Sequence, residues 1–209
     1  MDFYQQNHFE LQDLTDIIGS TDIYLIDQIM KGRYLPNQNI LDAGCGTGRN
    51  LYWFIKNELS ISAVDRDSDA ISILRQRYPQ LNERFVVANL ENMPYDDNFF
   101  DHIISSAVLH FANNTDHFYQ LLSEHVRVLR NGGTIFIRMT SDIGLKNAEL
   151  KSMGLGVYQI PDGSTRFLIR RGIYTKLKSK FNFTEIEPIK TTNVNDLRSM
   201  TTLVLRKGI

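Results

Sequence analysis

Apolar residues along the chain fall into two rhythms. Runs of strand length occur at Ile40–Leu41, Ile61–Val64, Arg84–Ala88, His102–Ser105 and Thr134–Met139. Each is a compact apolar stretch of the kind a buried strand requires. Between them the spacing becomes helical. Leu14, Ile17 and Ile18, then Ile23, Tyr24, Ile26 and Met30, give two stripes within residues 11–31, broken at Gly19–Ser20. Ser20 or Thr21 is the expected cap of the second stripe. Arg49–Lys56 resumes as a helix after a glycine-rich loop. Ala70, Ile71 and Leu74 mark another over residues 69–77, capped by Asp67 or Ser68 and stopped by Pro79. Phe118, Leu121, Leu122, His125, Val126 and Leu129 share a helix face that opens at Asn114 or Thr115 and closes at the glycines of Arg130–Gly133. His117 and His125 on that helix read as structural.

Beyond Thr140 the pattern loosens. Residues 145–153 read as a helix, and Pro161–Ser164 as a turn between two apolar runs that form a hairpin or a folded-over loop. Phe183–Ile189 and Met200–Arg206 read as the last two strands. Asn193–Leu197 joins them and is too short for a parallel crossover, so they pair antiparallel.

Composition narrows the class. A length of 209 residues fits one domain, and 42% hydrophobic residues suit a soluble globular core. The formal net charge of −1 offers no long-range attraction for nucleic acid or an anionic membrane. The basic residues Arg166, Arg170, Arg171, Lys176, Lys178 and Lys180 lack interleaved aromatics and read as a solvated helix face. No apolar run approaches membrane-spanning length, and the start of the chain, with Asp2 and Glu10, is not patterned as a leader, so a cytoplasmic protein is expected. Cys45 is the single cysteine, which excludes an internal disulfide. The histidines and acids show no metal-ligand spacing, and no metal is expected.

The chemistry centres on Ile40–Asn50, ILDAGCGTGRN. A strand runs into Asp42, then glycines alternate at Gly44, Gly46 and Gly48, then a helix begins. Glycines let backbone lie against a ligand, and the following helix is expected to present unpaired N–H groups to it. The spacing is G-x-G-x-G rather than the dinucleotide fingerprint G-x-G-x-x-G. Asp42 would repel a pyrophosphate and suit an ammonium group. Cys45 reads as a small filler within the loop. Asp65, at the end of the second strand, can accept from both ribose hydroxyls of a nucleoside.

DAGCGTG resembles the first motif of class I S-adenosylmethionine (SAM)-dependent methyltransferases, (D/E)-x-G-x-G-x-G. AVDRD at 63–67 is similar to the second motif. MPYDDNFFDHIISSAVLHF resembles the segment that carries the fourth strand, and VLRNGGTIFI the fifth, with Asn131 in place of the usual proline. The resemblance implies an α/β fold, a doubly wound, seven-stranded, mostly parallel sheet with an antiparallel C-terminal hairpin, in one domain over residues 1–209. It implies SAM as cofactor and a small-molecule methyl acceptor. Asp42 and the loop Gly44, Cys45, Gly46, Thr47 and Gly48 would hold the methionine tail. Asp65 and Arg66 would take the ribose, Asn89 and Leu90 the adenine, and Ser105 and Ser106 would lie at the ligand edge of the fourth strand. His110 would face the transferred methyl group as the catalytic residue. Residues 1–39 would form a helical lid bearing Tyr4, His8 and Phe9, and residues 140–181 an insertion that shapes the acceptor pocket. A non-catalytic SAM-binding module and a nicotinamide-dependent oxidoreductase stay open as other readings.

Overall fold

A computed structural model of the chain describes residues 14–146 and 149–209. The proposed lid residues Tyr4, His8 and Phe9 lie outside the described residues. A helical turn at 14–18 ends at Gly19, whose φ of +61° a side chain would disfavour. Helix α1 follows at Ile23–Met30. Its cap is Asp22 rather than Ser20 or Thr21: the carboxylate accepts from the Tyr24 N–H at 3.0 Å.

Strands β1 (Ile40–Ala43), β2 (Ile61–Asp65), β3 (Phe85–Val87), β4 (Phe100–Ser106) and β5 (Leu129–Thr140) run parallel in the order β5-β4-β1-β2-β3. Helices α2 (Tyr52–Lys56), α3 (Ser68–Arg77) and α4 (Thr115–Val128) connect them. Side chains alternate between two cores, as the period of a strand dictates. Leu41, Ile103, Ile135 and Ile137 pack on one face with Phe118 and Leu122 of α4. Ile40, Ile104 and Phe136 pack on the other with Leu25, Phe54, Ile71 and Leu74. Asp67 caps α3 and Asn114 caps α4, as the sequence indicates.

Three expectations change. Strand β5 begins at Leu129, immediately after α4, because the Arg130–Gly133 stretch is extended apart from Gly132 at φ +75°. The region expected to be a helix at 145–153 instead contributes strand β6 (Lys151–Gly154) to a small antiparallel sheet with β7 (Val157–Gln159) and β8 (Thr165–Phe167). Positive φ angles at Leu155 and Gly156 turn β6 back onto β7, which a helix could not tolerate. The sixth strand is broken. After helix α5 (Arg171–Lys180), β9 (Phe183–Glu185) and β10 (Lys190–Val194) each pair antiparallel with a different part of β11 (Arg198–Lys207). Pro188 lies between them and cannot donate to a ladder. The main sheet thus has eight strands rather than seven. The hairpin closes through Asn195 and Asp196, both at positive φ.

Asp22 joins α1 to the sheet. Its carboxylate, 3% exposed, lies 3.1 Å from the Arg138 guanidinium on β5 and 3.4 Å from that of Arg49, while its N–H donates to Asn50 Oδ1. Arg138 also stacks over the Tyr24 ring, 5.1 Å from its centroid. Asp22→Ala should therefore cost about 3 kcal/mol, through the lost cap and an uncompensated guanidinium. Asp22→Asn, which keeps a capping oxygen, should cost about half as much. Urea denaturation monitored by Trp53 fluorescence would measure both.

Candidate functional site

The sheet order reverses at β1 and β4: from β1 the chain moves to β2 and β3, then crosses to place β4 on the other side. Open α/β sheets bind ligands beyond the C-terminal strand ends at such a point. A cavity of about 320 Å³ lies there. Its wall includes Gly44 and Gly46 after β1, Asp65, Arg66 and Asp67 after β2, and Leu90 and Glu91 after β3. Ala107, Val108 and Phe111 after β4, with His117 and Leu121 of α4, complete it.

The three loop glycines have different tasks. A Cβ on Gly44 would lie 2.5 Å from Val108 Cγ2, so its bareness lets the loops after β1 and β4 touch. A Cβ on Gly48 would lie 2.4 Å from Leu74 Cδ2, so this glycine seats the loop on α3. Gly46 would meet nothing within 4 Å, and it borders the cavity. All three have positive φ. The helix beyond the loop begins only at Tyr52 and has five residues, so the loop's own backbone, rather than a helix N-terminus, borders the cavity. Backbone turns spanning Cys45–Leu51 intervene.

The loop is bound to β2 twice. The Val64 carbonyl accepts from the Gly44 and Cys45 N–H groups at 2.8 and 3.1 Å. Asp65 Oδ2 accepts from the Gly46 N–H at 2.8 Å, and Oδ1 from the Asp67 N–H at 3.0 Å. The Asp65 carboxylate is thereby fixed at the cavity wall with further lone pairs to offer. Asp42 lies behind the loop, 1% exposed, with Oδ2 unpartnered among the described residues. Burial raises its carboxyl to about 7, opposed by the Arg49 charge and reinforced by Asp65. Cys45 is buried and its thiol is pushed up by burial and by the Asp42 and Asp65 charges, which leaves it inert and matches a filler role.

Other residues singled out in the sequence lie away from the cavity wall. Thr47 and Asn89 are exposed, and Gly48 is buried. Ser105 is fully buried, and Ser106 Oγ lies 3.4 Å from Asp22 Oδ2, toward the α1 junction. His110 is 6% exposed, in a 3₁₀ turn over Leu109–Phe111, with Nδ1 unpartnered among the described residues. Burial, then the charges of Arg166, Arg198 and Arg138, push its imidazole down to about 4. His125 is buried, with Nδ1 on the Leu121 carbonyl at 2.7 Å, a structural role.

His117, read as structural from the sequence, lines the cavity, and Glu91 with it. The sequence holds a signal for both. Asn114 caps α4, which places His117 in the first turn, where side chains lean back toward the helix start and the ligand edge. Glu91 follows Asn89–Leu90 at the end of β3. Ala107, in the left-handed region at φ +62°, carries backbone strain of the kind found at ligand sites. Among the described residues no group of three or more His, Cys, Asp or Glu could hold a metal, and no helix is long and apolar enough to cross a membrane.

Gly44→Ala and Gly46→Ala should separate packing from binding. The first forces a clash with Val108 and should destabilise the fold by about 2–4 kcal/mol. The second should cost only about 1 kcal/mol of stability while placing a methyl group at the cavity. Thermal unfolding of the two variants checks the order.

The chain matches the methyltransferase domain family over residues 41–137. It is 30% identical over 129 residues to an uncharacterized methyltransferase, YodH, of Bacillus subtilis, covering 60% of this chain and 50% of that one. It is also 30% identical over 101 residues to the phthiotriol/phenolphthiotriol dimycocerosates methyltransferase of Mycobacterium tuberculosis, covering 47% and 36% of the two chains. The chain thus spans half or less of the length of these curated relatives. A SAM-dependent methyltransferase of Methanosarcina mazei shares the fold at TM-score 0.69 and 19% identity, over 87% of this chain and 97% of that one. The 1,6-didemethyltoxoflavin-N1-methyltransferase of Burkholderia thailandensis, solved with 1,6-didemethyltoxoflavin and S-adenosylhomocysteine, does so at TM-score 0.66 and 19% identity, over 100% and 86%. With its glycine loop at the switch point of a doubly wound sheet, the chain thus carries a match to the methyltransferase domain from β1 into β5, on a fold shared with SAM-dependent methyltransferases.

Proposed function

We propose that the protein transfers the methyl group of SAM to a small-molecule acceptor. The observation that carries this is the charge of the cavity. Among the described residues, Asp65, Asp67 and Glu91 line it against one cation, Arg66, and Asp42 stands behind the loop with an unpartnered oxygen. Such a wall favours a nucleoside with a cationic tail and disfavours the pyrophosphate of a nicotinamide dinucleotide. SAM fits that requirement, with an ammonium and a sulfonium and no phosphate. Asp65 would take the ribose hydroxyls, Gly44 and Gly46 would give the tail close backbone approach, and Asp42 would supply a buried carboxyl that a neighbouring cation holds ionised.

Bound SAM supplies an electrophilic methyl group for in-line displacement. The chain then has to hold the acceptor collinear with it and exclude water, which is where most of the rate arises. Residues 151–167 cover this side: Arg166 of β8 stacks over Phe111, its guanidinium carbon 4.9 Å from the ring centroid. Phe111 belongs to the cavity wall, so the small sheet meets the site at its acceptor edge. This supports the reading of residues 140–181 as the acceptor-shaping insertion. A small acceptor agrees with the small-molecule ligand of the Burkholderia neighbour and with the absence of a strongly basic overall charge.

His110 is the proposed catalytic residue. As a neutral imidazole pushed down to about 4, it is a weak proton acceptor at neutral pH, and its unpartnered Nδ1 suits a hydrogen bond to the acceptor better than full proton removal.

Calorimetric titration with SAM and S-adenosylhomocysteine tests the cofactor. Micromolar binding is expected, with Asp65→Ala weakening it at least about tenfold. Tight NADH binding without SAM binding would overturn the reading. For His110 the lowered pKa fixes the sign: the neutral form prevails above it and is lost only as pH falls toward about 4. Turnover should show no His110 titration between about pH 5.5 and 8. His110→Ala should lower kcat about 10- to 100-fold with S-adenosylhomocysteine affinity nearly unchanged. Equal losses in both would make His110 structural.

A further inference from the structure

The cavity is charged unequally on its two sides. Beyond β2 and β3 the acids are held in place, Asp65 by the glycine loop and Glu91 by His117. His117 Nδ1 accepts from the Asn113 N–H at 3.1 Å, so its ring hydrogen is on Nε2, 2.7 Å from Glu91 Oε1. Beyond β4 the charge is opposite. Phe111 lines the cavity, and the His110 ring meets it edge-on at 4.5 Å between centroids. The Arg166 guanidinium lies over Phe111, and Arg138 of β5 is in register with Ser106 at the end of β4. Arg166, then Arg198, then Arg138 add to burial in pushing the His110 imidazole down. Arg166 is thus set apart from the basic run on α5: it lies on β8, beside the site.

These cations outnumber their partners. Asp22 serves both Arg49 and Arg138, and Arg138 Nε is buried without a partner among the described residues. Asp162, in the turn between β7 and β8, is shared in the same way. Its N–H donates to the Leu197 carbonyl at 3.2 Å, which brings that turn to the start of β11 and to Arg198. Its Oδ1 accepts from the Ser164 N–H and hydroxyl, and its Oδ2 stands 3.7 Å from Arg198 Nη1. Burial acts to raise the Asp162 carboxyl, but the Ser164 hydrogen bonds, then the Arg198 and Arg166 charges, hold it below the usual carboxylate range. Arg166 donates to the Thr165 carbonyl at 2.7 Å and makes no ion pair among the described residues. Its remaining N–H groups are half-buried and open to an acceptor.

We propose that the methyl acceptor carries a carboxylate, and that Arg166, supported by Arg198, is the specificity residue that holds it beside His110. This rests on the methyltransferase reading above. A planar guanidinium takes a carboxylate through two parallel hydrogen bonds. The same cluster repels a protonated amine, which the acids across the cavity would otherwise attract. The two sides then sort the two substrates, the cationic donor to the acids and the anionic acceptor to the arginines.

The test is calorimetry on the full chain saturated with S-adenosylhomocysteine, using two probes of one shape, benzoate and benzamide. The wild type should prefer benzoate at least about tenfold. Arg166→Gln should bring that ratio close to one. Asp162→Asn removes a competing carboxylate and keeps an oxygen for Ser164, so it should tighten benzoate about two- to fivefold and leave benzamide unmoved. A merely structural role for the cluster would not produce that gain. Arg171→Gln, at an exposed arginine of α5, should leave the ratio intact. A wild type that binds benzoate no better than benzamide, an unchanged ratio in a folded Arg166→Gln variant, or a ratio that collapses in Arg171→Gln instead would overturn the assignment while the cofactor reading stands. If S-adenosylhomocysteine itself did not bind, the methyltransferase reading would fail, and this assignment with it.

Discussion

The structure depends on one close approach of backbone to side chain. Where β1 and β4 end side by side, the Gly44 backbone and Val108 are so near that a Cβ would overlap the Val108 methyl groups. Two parallel strands whose connections leave in opposite directions open a crevice there. The bare backbone at Gly44 lets the floor of that crevice close without filling it. The neighbouring constraints act together with it: Val64 and Asp65 bind the loop to β2, and Ala107 takes up the left-handed turn after β4. The loop is thus held by backbone hydrogen bonds to β2, not by a following helix.

Electrostatics then select what enters. A glycine loop by itself accepts many nucleosides, and the strand-end carboxylate at Asp65 is common to several of them. The distinguishing feature is the accumulation of acid around the cavity with a buried carboxyl at Asp42 that burial holds partly protonated near neutral pH. A cation beside it recovers part of the desolvation that Asp42 suffers alone. Histidine is used differently: burial keeps His110 neutral, while His117 is consumed by its own hydrogen bonds.

Much of this was legible in the chain. The five parallel strands, the caps Asp67 and Asn114 and the C-terminal antiparallel pairing follow from local signals that agree with the global fold. What escaped has physical reasons. The break of the sixth strand at Pro188 depends on which partner each half finds along β11, which is a tertiary matter. The stretch before Gly154 has residues compatible with a helix, and only the positive-φ turn after it and the pairing with β7 decide for a strand. In the site, Gly44, Gly46, Asp65, Arg66 and Leu90 come together at the cavity, because each lies at the C-terminal end of a strand or in the loop just beyond it. Thr47, Asn89 and Ser106 lie elsewhere. A one-residue step along a turn redirects a side chain, and motif spacing does not resolve that.

The sheet β6–β8 sits outside the doubly wound scaffold and meets it through Phe167 stacked on Phe118 at 4.8 Å between centroids, Arg166 over Phe111, and the Leu155 carbonyl accepting from Thr115 Oγ1 at 3.0 Å. Its outer residues on β6 are all exposed. Changes in length or composition at that outer rim would leave the cavity wall after β1, β2 and β3 untouched. The small sheet can therefore vary apart from the scaffold that carries the cavity. Under the role proposed for residues 140–181, new acceptors would come from remodelling a hairpin, without rebuilding the strand-end loops at the cavity.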